Sequence, residues 1–179
     1  MRAGGALAAG AAIGFIAGMA FTPARKAAMQ GAEALAGDWY DVLKAEHQAV
    51  EALFELLLAT GDRQVARRQM LLTKIAYNLN KHAIQEENVV YPALHKIDPE
   101  AAHHLVADHG EIKNLLSDLQ YVIDKSDPAW LETARKLSDT VISHAREEED
   151  EIFPRLRDLS PEDNDAITRR MHWEGIKVA

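Results

Sequence analysis

The sequence repeats itself at an offset of 62 residues, the step that takes His47 to His109. Two stretches aligned by this offset read HAIQEENVVYPAL and HAREEEDEIFPRL, and they share the frame H-A-x-x-E-E followed by an aromatic residue and a proline. The stretches around the earlier histidines, EHQAVEALFELL and DHGEIKNLLSDL, match in their apolar positions. A pattern used twice predicts two equivalent units that bury their apolar faces against each other.

Each unit is predicted to be a hairpin of two α-helices. Apolar residues recur at helical spacing through both units, alanine and leucine dominate, and only 6 prolines interrupt the chain. We therefore expect an all-α fold, an antiparallel up-down four-helix bundle made of two pseudo-repeated hairpins. A short fifth C-terminal helix and an N-terminal apolar helix are predicted in addition.

Capping and breaking residues divide the chain into these helices. Asp38 suits the N-cap of a helix that runs to about Thr60, and the second helix is predicted to end at about Tyr91 because Pro92 follows. Later helices are predicted to begin where a capping side chain precedes a proline, at Asp98-Pro99, Asp127-Pro128 and Ser160-Pro161. The predicted regions are an apolar helix over 1–22, a linker over 23–37 and the bundle with its C-terminal helix over 38–179.

Six ionisable side chains interrupt the apolar stripes of the four predicted bundle helices. Residues four apart share one face of a helix, so each His-x-x-x-Glu motif directs two donor groups the same way. Burying carboxylates there is costly unless a cation compensates, and a metal ion does so with neutral imidazoles as ligands. The sequence therefore predicts a metal site held by His47, His82, Glu86, His109, His144 and Glu148.

The runs of glutamate leave two of these positions open. Glu87 could replace Glu86, and Glu149 could replace Glu148. The spacing of the apolar residues favours the earlier glutamate of each pair, because it falls on the same stripe as the histidine four residues before it.

The order of a lone histidine, a His-x-x-x-Glu, a second lone histidine and a second His-x-x-x-Glu resembles the hemerythrin-like, or HHE cation-binding, family. The resemblance covers about 38–159. It implies a non-haem di-iron centre in a four-helix bundle, with the four histidines as terminal ligands and Glu86 and Glu148 as bridges. The oxygen-carrying members add a histidine one turn before the third-helix ligand, where this chain has Leu105.

The leucine at this place predicts a more open centre than that of the oxygen carriers. Two six-coordinate irons have about twelve ligand positions, and the predicted ligands with one bridging oxygen fill about ten. We expect such a centre to bind or react with O₂, peroxide or nitric oxide rather than to carry O₂ reversibly. An iron-sensing or iron-buffering module without turnover is the alternative, so the sequence leaves enzymatic activity open.

Other assignments fit the sequence less well. A ferritin-like site needs two Glu-x-x-His pairs, and only Glu100-x-x-His103 occurs. A structural zinc site closes four ligands around one ion, whereas manganese accepts the same donors as iron. Tyr40 and Tyr121 are candidates to lend a phenol, although tyrosine in a bundle more often serves packing. The remaining histidines are assigned to the core or the surface, namely His95, His103, His104 and His172.

The uncharged segment 3–21 is long enough to span a bilayer, and basic residues flank it. Its apolar content is mostly alanine and glycine, so insertion would be marginal. Gly10, Gly14 and Gly18 form a smooth helix face through which two copies could associate. We expect this segment to tether a cytoplasmic bundle to a membrane, with a cleaved signal peptide or an unstructured tail as alternatives.

The overall charge and the absence of cysteine restrict the chemistry. A formal net charge of -8 repels phosphate backbones, so nucleic acid is not an expected partner. With no cysteine, the chain has no disulfide and no thiolate ligand. Any metal must therefore be held by nitrogen and oxygen atoms.

Overall fold

The computed structural model describes residues 37–178, which are helical apart from short connections. Helix α1 is Trp39–Leu58, and α5 is Pro161–Val178. The three helices between them contain π-helical segments. Thus α2 (65–94) joins Val65–Gln85, Glu86–Val90 and Tyr91–Leu94; α3 (99–122) joins Pro99–Ser117 and Asp118–Val122; and α4 (128–157) joins Pro128–Glu147, Glu148–Ile152 and Phe153–Arg157. The all-helical class predicted from the sequence is confirmed.

The predicted capping residues begin the helices. The side chains of Asp38, Asp98 and Asp127 accept hydrogen bonds from backbone N–H groups in the first turns of α1, α3 and α4. The hydroxyl of Ser160 likewise accepts a hydrogen bond from the N–H of Asp163 at the start of α5. These side chains satisfy donors that a helix leaves without a partner at its N-terminus.

The prediction that α2 ends before Pro92 is wrong. In the π-helical segment Glu86–Val90 the N–H of Tyr91 donates to the carbonyl of Glu86, five residues earlier. A proline inside a regular α-helix lacks a donor and clashes with the carbonyl four residues before it. The wider turn places Pro92 in the first turn of a new α-helical segment, which continues to Leu94. Pro154 has the same place in α4.

Two apolar clusters hold the bundle together. The first joins the later part of α1, the early part of α2, the later part of α3 and the early part of α4. The second joins the opposite ends of the same helices with α5. Because each cluster pairs the end of one helix with the start of the next, successive helices run antiparallel. The side chains predicted to bind metal lie between the two clusters.

Helix α5 closes the second cluster over the start of α1. The indole N–H of Trp39 donates to the side-chain oxygen of Asn164 at 2.8 Å, and its backbone N–H donates to the hydroxyl of Thr168 at 3.2 Å. Ile167 and Met171 are buried in the same cluster. The fifth helix therefore belongs to the packed core beside the polar layer.

None of the helices within 37–178 has an apolar stretch sufficient to cross a membrane. The predicted apolar helix over 1–22 and all of the predicted linker except residue 37 lie outside the described residues, as do Gly10, Gly14 and Gly18. The predicted membrane tether and self-association through these glycines stay predictions.

Candidate metal centre

The structure brings all six predicted side chains together, and we call this set the cage. One group of ligand atoms within 4.8 Å of one another comes from His47, His82, Glu86 and Glu148. A second such group comes from Glu86, His109 and His144. Glu86 belongs to both groups, and both cage glutamates are completely buried. The arrangement therefore contains two overlapping groups of donor atoms, each of which could hold a cation.

Each cage carboxylate reaches both hairpins. Glu86 places Oε1 3.1 Å from Nε2 of His82 and Oε2 3.3 Å from Nε2 of His109. Glu148 places Oε2 3.4 Å from Nε2 of His47 and Oε1 3.5 Å from Nε2 of His144. One oxygen thus faces each half of the cage. Each carboxylate therefore lies where it could contact a cation in either half of the cage.

Several cage atoms lack the partners that buried polar groups require. Within the described part of the chain, Glu86 Oε1 and Glu148 Oε2 are buried and have no hydrogen-bond partner other than the cage imidazoles that face them. The Nε2 atoms of His47 and His82 face each other at 2.9 Å. Buried lone pairs without partners are costly, and cations between them would remove the cost. Imidazole nitrogen and carboxylate oxygen suit iron, manganese or zinc, so the donor set fits a metal centre.

Each cage histidine also contacts an acidic side chain outside the cage through Nδ1. We call these four acids the outer carboxylates, and the contacts are His47–Glu149 at 2.9 Å, His82–Glu46 at 3.0 Å, His109–Glu87 at 2.9 Å and His144–Asp108 at 3.4 Å. An ionised carboxylate only accepts hydrogen bonds, so Nδ1 carries a proton and donates. In the neutral imidazole, Nε2 then presents its lone pair to the cage, as metal-binding histidines commonly do.

The outer carboxylates form a closed ring around the bundle. The acid on α1 contacts the cage histidine on α2, and the acid on α2 contacts the cage histidine on α3. The acid on α3 contacts the cage histidine on α4, and the acid on α4 contacts the cage histidine on α1, which closes the ring. The ring ties each helix to the next one at the level of the cage.

The sequence analysis does not identify the contacts of the outer carboxylates with the cage histidines, although the repeat contains a signal for them. Glu46 and Asp108 precede the lone histidines of the two units, and the 62-residue offset relates them. Glu87 and Glu149 are related in the same way, but the sequence indicates them only as alternative ligands. The structure places Glu86 and Glu148 inside the cage and their neighbours outside, where each contacts a histidine of the other hairpin.

The electrostatics of the cage favour the charged forms of Glu86 and His82. Burial by itself would raise the pKa of Glu86, but His82 and His109 outweigh it and hold this pKa well below its ordinary value. Burial by itself would lower the pKa of His82, but Glu86 and Glu46 outweigh it and hold this pKa well above its ordinary value. A metal ion bound at Nε2 of His82 would have to displace the proton that this raised pKa favours.

A phenol that the sequence analysis did not single out lies in the cage. The hydroxyl of Tyr91 donates to Oε1 of Glu148 at 2.7 Å and lies 3.2 Å from Nε2 of His109 and 3.3 Å from Nε2 of His144. Burial and the nearby Glu86 and Glu148 carboxylates raise the pKa of Tyr91 well above its ordinary value, so the phenol stays protonated. The repeat aligns it with Phe153, which makes the two halves of the cage chemically unequal.

The other residues considered from the sequence lie elsewhere. The hydroxyl of Tyr40 reaches the backbone carbonyl of Glu149 at 3.4 Å, and Tyr121 is 82 % exposed, so neither phenol enters the cage. Leu105 is buried in the second apolar cluster. The four remaining histidines are on the surface, as expected for His95, His103, His104 and His172.

A small cavity of about 30 Å³ adjoins the cage histidines. Its apolar wall includes Val50, Leu79, Ile112, Leu116 and Val141. A cavity of this size holds a water-sized guest. It provides room for a diatomic or similarly small molecule next to the cage.

Comparison with known proteins agrees with this geometry. The family model described as the hemerythrin HHE cation binding domain matches residues 38–156. A protein named DNA nickase from Nostoc sp. (strain PCC 7120 / SAG 25.82 / UTEX 2576) is 31 % identical over 132 residues, which are 73 % of this chain and 37 % of that protein. The chain thus corresponds to little more than a third of this relative, and no solved structure matches it. The chain belongs to the hemerythrin HHE cation-binding family.

Proposed function

We propose that the cage binds two iron ions and that the pair binds or reacts with O₂, peroxide or nitric oxide. The observation that supports this most directly is the pair of adjoining ligand groups that share Glu86. The proposed ligands are those predicted from the sequence, His47, His82, Glu86, His109, His144 and Glu148. Bound iron would supply redox chemistry, which no side chain of the cage supplies by itself.

The small cavity beside the histidines supports a small-molecule ligand. Its apolar wall excludes large polar substrates, whereas a diatomic molecule or peroxide fits the available volume. Tyr91 places a hydroxyl donor inside the cage, where it can hydrogen-bond to an oxygen atom of such a ligand. The chain thus provides space and a donor next to the proposed irons.

An iron-sensing or iron-buffering role is the alternative within the same site. It uses the same ligands but requires no turnover. The two roles differ in whether the iron-loaded protein changes a small molecule chemically, and the sequence and geometry of the ligands are compatible with both.

Similarity to the protein named DNA nickase raises DNA cleavage as a second candidate. The net charge of -8 opposes close approach to phosphate backbones. Conversion of supercoiled plasmid to the nicked form by the iron-loaded chain, absent in a variant without iron, would support this candidate.

The test uses two neighbouring glutamates as a matched pair. Glu86→Gln removes a charge inside the cage, so we expect the iron content to fall from two ions per chain to one or none, and peroxide turnover to be lost. Glu87→Gln removes a charge outside the cage, so we expect the protein to bind two irons with about 10- to 100-fold weaker affinity and to keep turnover when saturated. Iron analysis and oxygen release from hydrogen peroxide measure both effects.

The outcomes separate the proposals. Two irons per chain without any reaction toward O₂, peroxide or nitric oxide would favour the sensing or buffering role. A wild-type protein that holds one zinc and takes up no iron would overturn the di-iron proposal.

A further inference from the structure

Three of the four outer carboxylates contact a lysine. The lysine ammonium nitrogens lie 2.8 Å from Glu46, 2.6 Å from Glu87 and 3.1 Å from Glu149, and the lysines are Lys81, Lys113 and Lys44 respectively. In each case the ammonium group of the lysine balances the charge of the acid.

The fourth outer carboxylate, Asp108, has no such lysine. Among residues 37–178 the side chains that contact it within 4 Å as ion-pair candidates are His144 on the cage side and His104 on the surface side, with Oδ2 3.4 Å from Nδ1 of His144 and 3.7 Å from Nε2 of His104. The same Nε2 atom of His104 lies 3.3 Å from the carboxylate of Glu147. Two carboxylates and one imidazole therefore converge, and no lysine or arginine of the described residues lies within ion-pair distance of them.

The repeat supplies an internal comparison for this cluster. In the first hairpin the position of Asp108 is held by Glu46, but that of His104 is held by Val42 and that of Glu147 by Gln85. The first hairpin also has Lys81 where the second has Ser143. The first hairpin thus pairs its acid with a lysine, whereas the second replaces that lysine and adds an imidazole and a carboxylate.

The spacing of the three side chains suits a metal ion. Ligand atoms about 2.0–2.2 Å from a common ion are separated by roughly 3.0–3.5 Å at tetrahedral or octahedral angles. Nε2 of His104 lies 3.3 Å from Glu147, which is within this range, and 3.7 Å from Asp108, which is slightly beyond it. Ligand atoms of all three residues lie within 4.8 Å of one another, so small side-chain shifts would bring them around one ion. The side chains are partly exposed, which leaves positions for water ligands. An imidazole beside two carboxylates favours a transition metal ion over calcium or magnesium.

We propose that His104, Asp108 and Glu147 form a third metal site, for a divalent transition metal ion, on the surface between α3 and α4. Asp108 joins this outer site to the cage, because its Oδ2 atom faces both His104 and His144. An ion at the outer site is therefore separated from a cage histidine by a single carboxylate.

The test measures zinc binding to the full chain after iron loading. Equilibrium dialysis against Zn²⁺, followed by analysis of both metals, should find one zinc per chain in addition to the iron. His104→Ala should lose this zinc at the same free Zn²⁺ concentration, with the iron content unchanged. His103→Ala is the matched control, because it removes the adjacent exposed histidine, and it should retain the zinc.

A second variant changes the charge without removing a ligand. Ser143→Lys gives the second hairpin the lysine that Lys81 provides in the first, so it should weaken or abolish zinc binding. Circular dichroism establishes that each variant is folded. If the wild-type chain takes up no iron, the zinc lost in His104→Ala still reports the outer site separately from the cage.

Three results would overturn the proposal. These are the absence of bound zinc beyond the cage, undiminished zinc binding in His104→Ala, and unchanged zinc binding in Ser143→Lys. Loss of zinc only in His103→Ala would instead assign the ion to the neighbouring pair of His95 and His103, whose rings are 5.2 Å apart.

Discussion

At the scale of single residues, adjacent glutamates have different surroundings. Glu86 is completely buried between His82 and His109, whereas Glu87 contacts Lys113 and the outer nitrogen of His109. Successive residues of a helix point about 100° apart, so two neighbours can reach an inner and an outer shell of the same centre. The two adjacent glutamates of each unit therefore have different contacts: the first lies inside the cage, and the second contacts a cage histidine from outside.

The hydroxyl of Tyr91 makes a testable contribution to the metal-free protein. Tyr91→Phe removes the donor to Glu148, and we expect the free energy of unfolding to fall by about 1–3 kcal/mol because a buried carboxylate oxygen loses its partner. Urea denaturation of the metal-free and metal-loaded forms measures the effect. The loss should be smaller with metal, because bound ions then satisfy Glu148.

Tyr121→Phe is the control for this change. It removes the same hydroxyl from a side chain that is 82 % exposed, so stability should change by no more than about 0.5 kcal/mol. Equal stability of metal-free Tyr91→Phe and wild type would show that the hydroxyl contributes nothing to the empty cage.

At the scale of the elements, the π-helical segments let the ligand helices continue past a proline. Glu86 and Glu148 each begin such a segment, and Pro92 and Pro154 follow in the next α-helical turn. The same wide turn brings Tyr91, five residues after Glu86, back to the cage. In a regular α-helix the two side chains would point about 140° apart.

Shortening the first of these π-helical segments should destabilise the protein. Deletion of the exposed Asn88 would restore a regular α-helix and put Pro92 in its interior, which costs about 3 kcal/mol or more. Thermal unfolding followed by circular dichroism should therefore show a lower melting temperature. Adding Pro92→Ala to the deletion should recover much of the loss.

Asn88→Ala keeps the chain length and serves as the control. It should melt close to wild type, since the side chain lies on the surface. A deletion that melts like wild type, or one that Pro92→Ala does not rescue, would show that the proline is not what the wide turn accommodates.

At the scale of the whole molecule, a charged layer lies between two apolar clusters. The clusters hold the helices in place. The charged layer contains buried ionisable side chains, whose burial is unfavourable unless a cation or bound protons compensate. Stability should therefore depend jointly on metal and on pH.

In the metal-free protein, His82 and Glu86 make the stability depend on pH with opposite signs. In the metal-free protein the raised pKa of His82 contributes stability below the ordinary value of 6.5, and this contribution is lost as pH rises through the raised pKa. The lowered pKa of Glu86 contributes stability above the ordinary value of 4.5, which is lost as pH falls through the lowered pKa. Metal binding releases protons, so metal affinity rises with pH.

We therefore expect the difference in melting temperature between the metal-loaded and metal-free protein to widen from about pH 6 to about pH 8. Scanning calorimetry of both forms across this range measures the difference. In His82→Ala, the decline of the metal-free protein above the ordinary histidine pKa should be weaker. A difference that stays constant with pH would contradict the proposed competition between protons and metal.

The sequence by itself determined the all-helical class, the capped starts of α1, α3, α4 and α5, and the six ionisable side chains on the apolar faces of the bundle helices. These features follow from local periodicity, from capping residues and from a repeat, and each of these patterns can be recognised in the sequence of a single helix or hairpin.

Only the tertiary structure decided the ring of outer carboxylates, the entry of Tyr91 into the cage and the continuation of α2 through Pro92. Each outer acid is identified by a histidine on another helix, as Glu46 is by His82, and no periodicity within one helix encodes that partner. The position of Tyr91 in the cage and the continuation of α2 past Pro92 both depend on the π-helical segment Glu86–Val90, which the packed bundle accommodates. Contacts between helices, rather than patterns within them, therefore distinguish the inner from the outer shell of this centre.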